Sequence, residues 1–128
     1  MPTYPNKKTP DQRSFAAATV TTAADGLSDV IDCGGLTLAA IKMSTAWTDA
    51  PLMLLGSFDS SASMFPLFTT TGGRLTHQTS ASRMLTFDPA PFAGLRFLQL
   101  ASGDSSTAVA QAAARTVTLG LASYQPIK

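Results

Sequence analysis

"TAWTDAPLMLLGSFDSS" (residues 45–61) holds the chain's sole tryptophan, Trp47, then a Thr-Asp-Ala-Pro turn, an apolar run and a Ser-Phe-Asp-Ser close. Within it, "PLMLLGSF" (51–58) is apolar at odd and even positions alike, the pattern of a central strand covered on both faces. Trp47 admits two readings. Its face, with Asp49 and Asp59 as polar neighbours, would form a shallow sugar platform. Alternatively the indole plugs one end of a β core, Asp49 and Ser57–Asp59 shape turns, and Leu52, Leu54 and Phe58 feed the core. The core reading is the primary one, and the glycan-binding reading stays open beside it.

Working outward, the chain reads as short strands between turns. "FAAATVTT" (15–22) is a weak first strand, and Asp25-Gly26 signals a turn. "GLTLAAIKM" (35–43) changes apolar phase at Ala39-Ala40. A one-residue slip swaps the buried face, so a bulge is expected there. "SMFPLFTT" (63–70) contains Pro66, which cannot donate to a ladder and confines the segment to an edge or a bulge. Thr71-Gly72-Gly73 is a hairpin turn into "RLTHQT" (74–79), where Leu75 and His77 share a face. "RMLTFD" (83–88) alternates, "PAPFAG" (89–94) is a corner, and "LRFLQLAS" (95–102) is strongly apolar. "RTVTLGLAS" (115–123) alternates with Val117, Leu119 and Leu121 inward. Alanine-rich "STAVAQAAAR" (106–115) has helical composition, with a loop holding one helical turn as the alternative. About eight strands at regular spacing predict an all-β fold, an antiparallel sandwich or jelly roll over residues 15–128. Residues 1–14, with Pro2, Pro5 and Pro10, form an expected extended N-terminal arm.

Composition narrows the partners. The 128 residues suffice for one domain with its own core. A net charge of +1 gives no electrostatic footprint for nucleic acid. Only 13% of residues are charged, against roughly 25% in ordinary soluble domains. So few charges keep a free monomer poorly soluble, which implies a surface covered by other subunits. The opening residues carry no secretory pattern and the apolar runs are strand-sized, so synthesis and assembly in the cytosol, away from membranes, are expected.

No catalytic constellation emerges, and the chain is expected not to be an enzyme. One histidine, His77, and one cysteine, Cys33, lack the spacing and third orienting group of a nucleophile–base pair. All eight acids are aspartates (Asp11, Asp25, Asp29, Asp32, Asp49, Asp59, Asp88 and Asp104) beside turns or strand ends, where Asp bonds its own backbone. Asp25, Asp29 and Asp32 offer oxygen ligands in one loop but match no calcium-loop pattern, so they read as turn formers and no metal is expected. Gly34-Gly35 and Gly72-Gly73 lack the helix and lysine of a phosphate loop. No cofactor is implied.

"DCGGLTLAAIKMSTAWTDAPLMLLGSFD" (32–59) resembles the opening of short structural proteins of tailed phages and gene transfer agents. There, Asp-x-Gly-Gly-Leu leads into a strand, followed by Ala-Trp-Thr-x-Ala, a second strand and Ser-x-Asp-Gly. "FAGLRFLQLASG" (92–103) and "VAQAAARTVTLGL" (109–121) are similar to later strands of that family, so the likeness runs from Asp29 to Leu121. The pattern also looks like galactose-binding, discoidin-type sandwiches. It departs from both where Ser60 follows Asp59 in place of the usual glycine, and from the phage family where Ala101 stands in place of a frequent arginine. The resemblance implies a virion structural protein, foremost a capsid decoration or cement protein on the head surface. Its partners would be the major capsid protein and copies of itself in a homo-oligomer, with a trimer as candidate symmetry. The alternatives are a carbohydrate-binding module, using Trp47, Asp49 and Asp59, or a head-spike or tail adaptor subunit.

Overall fold

The computed structural model describes residues 10–21, 25–69, 71–88, 92, 94–104 and 107–124. Among them nine strands form: β1 (Pro10–Val20), β2 (Leu27–Asp32), β3 (Thr37–Lys42), β4 (Leu52–Ser57), β5 (Phe65–Pro66), β6 (Thr76–His77), β7 (Met84–Thr86), β8 (Phe97–Ser102) and β9 (Arg115–Tyr124). All pairings are antiparallel. The all-β, antiparallel fold expected from sequence is the one observed. Its strands follow one path, β5-β4-β8-β2-β1-β9-β3-β7, with β6 also on β4.

This single sheet curls over on itself. β1 and β2 are paired in register only at Val20 and Ser28, and at that bend the sheet passes from a β1-β9-β3-β7 half to a β2-β8-β4 half. Ala18, Val20, Leu38, Ile41, Val117, Leu119 and Leu121 from the first half pack with Ile31, Leu52, Leu54, Leu98 and Leu100 from the second. The predicted inward face of β9 is thus the observed one.

Bending costs ladder bonds, and side chains replace them. Register between β2 and β8 shifts between Leu27 and Val30. Within that bulge the buried Ser28 hydroxyl accepts the Leu100 N–H at 2.9 Å, while Gln99 Nε2 donates to the Ser28 carbonyl at 2.7 Å. Beside the Val20–Ser28 pair, Asp29 Oδ1 accepts the Thr19 N–H at 2.7 Å. Backbone polar groups that lose ladder partners must find others, and here Ser28 and Asp29 accept N–H groups while Gln99 donates to a carbonyl.

Local expectations hold at several points. β3 shifts register between Leu38 and Ala40, where the sequence changes phase. The displaced Ala39 carbonyl accepts the Phe87 N–H at 3.0 Å. In β4, Leu52, Met53 and Leu54 are all buried, so both faces are covered. Pro66 sits on edge strand β5. Thr69 to Gly73 closes the hairpin, with the Thr69 N–H donating to the Gly73 carbonyl at 2.7 Å and Gly72 at φ 96°.

Three expectations are corrected. No helix forms among the described residues of 106–115; Gly103 bridges Ala108, and the Val109 N–H donates to the Ser102 carbonyl at 2.9 Å, holding the segment as an ordered loop against β8. Phe58 does not feed the core: β4 ends at Ser57, and the turn throws Phe58 out to 73% exposure. β1 starts at Pro10 and pairs with β9 along its whole length. Residues 10–14 of the expected arm are therefore paired backbone, and residues 1–9 lie outside the described residues.

Ser28→Ala is expected to destabilise the domain by about 1–3 kcal/mol, since it leaves the buried Leu100 N–H without an acceptor. Ser14→Ala, at an exposed position, should stay within about 0.5 kcal/mol. Urea unfolding of the two variants measures the contrast.

Candidate functional site

The turn from Ser44 to Pro51 crosses one end of the core. Ser44 Oγ accepts the Ala46 N–H at 3.1 Å, which starts the turn. Trp47 then drops inward to 5% exposure, and its indole N–H donates to the Ala50 carbonyl at 3.0 Å. The next residue is held from a distance of 63 positions by Gln111, itself only 2% exposed. Gln111 Oε1 accepts the Thr48 N–H at 2.7 Å, and its Nε2 donates to the Thr48 carbonyl at 3.1 Å and to Ser102 Oγ at 2.8 Å. Thr48 Oγ1 accepts the Ala112 N–H at 3.0 Å. A buried amide with its hydrogen-bonding capacity engaged in this way fixes geometry. Gln111 was not singled out by its residue type; polar character inside an otherwise alanine-rich run was the available signal.

The three candidate binding residues do not converge. Trp47 belongs to the core and offers no face to a sugar ring. Asp49 and Asp59 are exposed, but they flank opposite ends of β4, a strand about 17 Å long. Asp59 Oδ1 accepts the Ser57 hydroxyl at 3.2 Å, and Ser57 Oγ in turn accepts the Asp59 and Ser60 N–H groups at 3.4 and 3.1 Å. This is a turn built on serine and aspartate.

The clustered carboxylates are likewise committed to separate backbones. Asp25 Oδ1 accepts the Leu27 N–H at 3.1 Å, and Asp29 takes Thr19 as above. Asp32 Oδ1 accepts the Gly34 N–H at 2.8 Å, and its carboxylate holds Arg96 Nε and Nη2 at 3.0 Å each. The Arg96 hydrogen bonds, then the Gly34 N–H, keep the Asp32 carboxyl below the usual carboxylate range. Among the described residues no three His, Cys, Asp or Glu side chains gather as a metal site.

Cys33 is buried, and burial, then the Asp32 charge, pushes its thiol up to about 11, so it is a protonated core group at neutral pH. His77 stands edge-on to Phe87, with ring centroids 4.7 Å apart, and Phe87 stands edge-on to Phe92 at 5.6 Å. This stack links β6 to the segment that follows β7. His77 Nε2 is buried without a hydrogen-bond partner, and burial lowers its pKa. The imidazole acts there as an aromatic strut.

Five large apolar side chains stand on the described surface. Phe15, Phe58, Phe65, Phe68 and Met84 are all more than 60% exposed. Phe15 and Met84 flank a shallow groove of about 120 Å³ that Ala40, Lys42, Thr118 and Gly120 complete.

No protein-family model matches this chain, and no curated protein matches it by sequence. Among solved structures, the fold is similar to that of the SPBc2 prophage-derived protein YomS. The TM-score is 0.50 and the identity 11%, over 91% of this chain and 100% of that one. The fold is therefore phage-protein-like.

Trp47→Ala is expected to cost about 3–5 kcal/mol, whereas Asp49→Ala stays within about 0.5 kcal/mol; thermal and denaturant unfolding separate the two. A second expectation concerns pH. The folded chain keeps His77 neutral below the usual 6.5, so the unfolded chain takes up the proton first as pH falls through that value. Stability should be at its full value above that pH, decline as pH drops toward 5, and decline less in His77→Phe. Denaturant midpoints at pH 7.5 and 5 for both proteins give the answer.

Proposed function

We propose that this chain is a structural protein of a phage virion, a decoration or cement subunit that binds the head surface and stabilises the shell through subunit contacts. The observation that carries the reading is the outer surface: a β domain with 13% charged residues and five exposed large apolar side chains. Such a surface is a hazard on a free monomer and an asset in a lattice, where neighbours cover it. The fold shared with a prophage-derived protein supports the same reading. In it the partners are the major capsid protein and other copies of this chain, residues 1–9 serve as the docking arm, and the role involves no catalysis. A sugar-binding role has no supporting geometry, since Trp47 is buried and Asp49 and Asp59 lie apart.

Quantitative mass spectrometry of purified particles tests this reading, with the full chain and with a chain lacking residues 2–9, which leaves β1 whole. A copy number of the same order as the coat protein, lost on truncation, is the expected result. A handful of copies would move the protein to a spike, neck or tail, and absence from particles would sink the virion role.

A further inference from the structure

β1 (Pro10–Val20) is the longest described strand, and one of its flanks stands open. It pairs with β9 throughout, but its register with β2 holds at Val20 and Ser28 alone. Beyond that corner β2 continues along β8, and β1 runs on without it. Hydrogen bonding fixes which backbone groups are left over. The Thr19 N–H points to the β2 side, since it donates to Asp29 Oδ1 at 2.7 Å. Alternate residues of an antiparallel strand send both backbone groups to the same side, so those of Arg13, Phe15 and Ala17 point there too. Among the described residues nothing accepts their N–H groups or donates to their carbonyls. The backbone groups of Ser14, Ala16 and Ala18 point instead into the β9 ladder.

The open flank is accessible and unprotected. Ser14, Phe15 and Ala17 are exposed, Phe15 to 78%, although Leu119 and Leu121 across the ladder are buried. The stretch runs from Gln12, where the ladder with β9 becomes regular, to Ala18, next to the Thr19–Asp29 bond. At about 3.3 Å per residue it spans about 23 Å, longer than the usual strand of about 5–6 residues. Sheet edges are normally blunted by brevity, proline, a bulge or charge. β5, β6 and β7 are short and β5 holds Pro66. From Ser14 to Ala18 β1 has none of these devices: its residues are one serine, one phenylalanine and three alanines, in unbroken register.

We infer that this flank is a self-association edge, where β1 of a second copy pairs antiparallel to β1 about a two-fold axis and joins the two half-sheets. A row of backbone donors and acceptors takes an extended strand, and three features make β1 itself that strand. Parity is the first. Centring the two Gln12–Ala18 stretches on each other sets Phe15 opposite Phe15 and Arg13 opposite Ala17, so open residues meet open residues; a one-residue slip would set them against groups already bonded to β9. The two Arg13 positions then lie about 13 Å apart along the ribbon, so like charges are not set opposite. The side chain at the centre is the second feature. A hydrogen-bonded pair holds its Cα atoms about 5.5 Å apart with both side chains on one face, so the exposed Phe15 rings meet as a cross-strand aromatic pair. Closure is the third: both open flanks are consumed at once, whereas a lone peptide would bring an open flank of its own.

This names the self-contact within the virion reading, yet its test uses the purified full chain alone. Sedimentation at about 200 µM, well above a micromolar dissociation constant, should show twice the chain mass of 13.3 kDa. Amide hydrogen exchange should slow at Phe15 and Ala17 in the dimer and quicken as dilution restores the monomer. Ala16 and Ala18, bonded to β9, should stay protected throughout. Ala17→Pro removes an outward donor and leaves the β9 ladder whole, so it should sediment as a monomer with a melting curve close to that of the wild type. Met84→Asp, at the opposite edge of the half-sheet, should remain dimeric. A monomeric wild type, a dimer whose Phe15 and Ala17 amides exchange freely, protection there that dilution does not change, a folded Ala17→Pro that stays dimeric, or dissociation by Met84→Asp would each overturn the inference. Should Ala17→Pro fail to fold, the exchange pattern of the wild type decides alone. None of these outcomes bears on the virion role, which copy number in particles decides separately.

Discussion

The bend between Val20 and Ser28 is the constraint on which the remaining structure depends. One continuous antiparallel sheet can enclose a core only by folding over, and folding over breaks backbone pairing at the corner. Ser28, Asp29 and Gln99 take the place of the missing ladder partners, at distances of 2.7–2.9 Å. Each bond is worth about 1 kcal/mol net, but an unmet donor at this depth costs more than a met one returns. The small polar residues of β2 are therefore what permit the leucine-rich interior of β4 and β8 to face that of β3 and β9. A flat sheet of the same strands would leave that apolar face in water.

A second closure acts at the end of the enclosed space. The halves of a folded sheet leave an opening beside β4, and the Ser44–Pro51 turn fills it with the indole of Trp47. Aromatic bulk excludes water but does not set the position of a turn. Gln111 sets it, by gripping both backbone groups of Thr48 and tying them to Ser102 at the end of β8. The plug and its clamp come from segments 63 positions apart, so this end of the domain forms only when the whole chain is assembled. Elsewhere His77 of β6, Phe87 and Phe92 stack edge to face, joining β6 to the segment that follows β7. There the closure is by aromatic contact instead of a backbone ladder.

Much of this was legible where local pattern and tertiary role coincide. The alternation of residues 115–123, the phase slip at Ala39-Ala40 and the placement of Pro66 each follow from backbone geometry that a short window expresses. The failures have a common cause as well. Alanine in residues 106–115 speaks for helix by propensity, yet Gln111 and Ala112 are held by Thr48 from across the chain, and the propensity of a short segment is the weaker term. Phe58 reads as core by hydrophobicity, while the serine and aspartate that follow terminate β4 and turn it outward. Ser28 and Asp29 look like turn residues because a short polar side chain serves a bulge as well as a turn. The outward face was invisible for a different reason: Phe15, Ala40 and Met84 are scattered over three strands, and only the register brings them into adjacent rows.

Exposed apolar surface on a β domain raises the question of what prevents uncontrolled growth. Sheets aggregate most readily through their edges, where unpaired N–H and C=O groups recruit further strands. The long strand β9 lies inside the path, paired on both sides, and β1 pairs along its length with β9 and meets β2 at Val20. The outer positions fall to β5 and β6, two residues each, and β7, three residues. Pro66 removes a donor from one of them. Edge-to-edge pairing through those outermost strands is thus denied the length it needs. The same strand order that encloses the core therefore leaves short strands at the ends of its path.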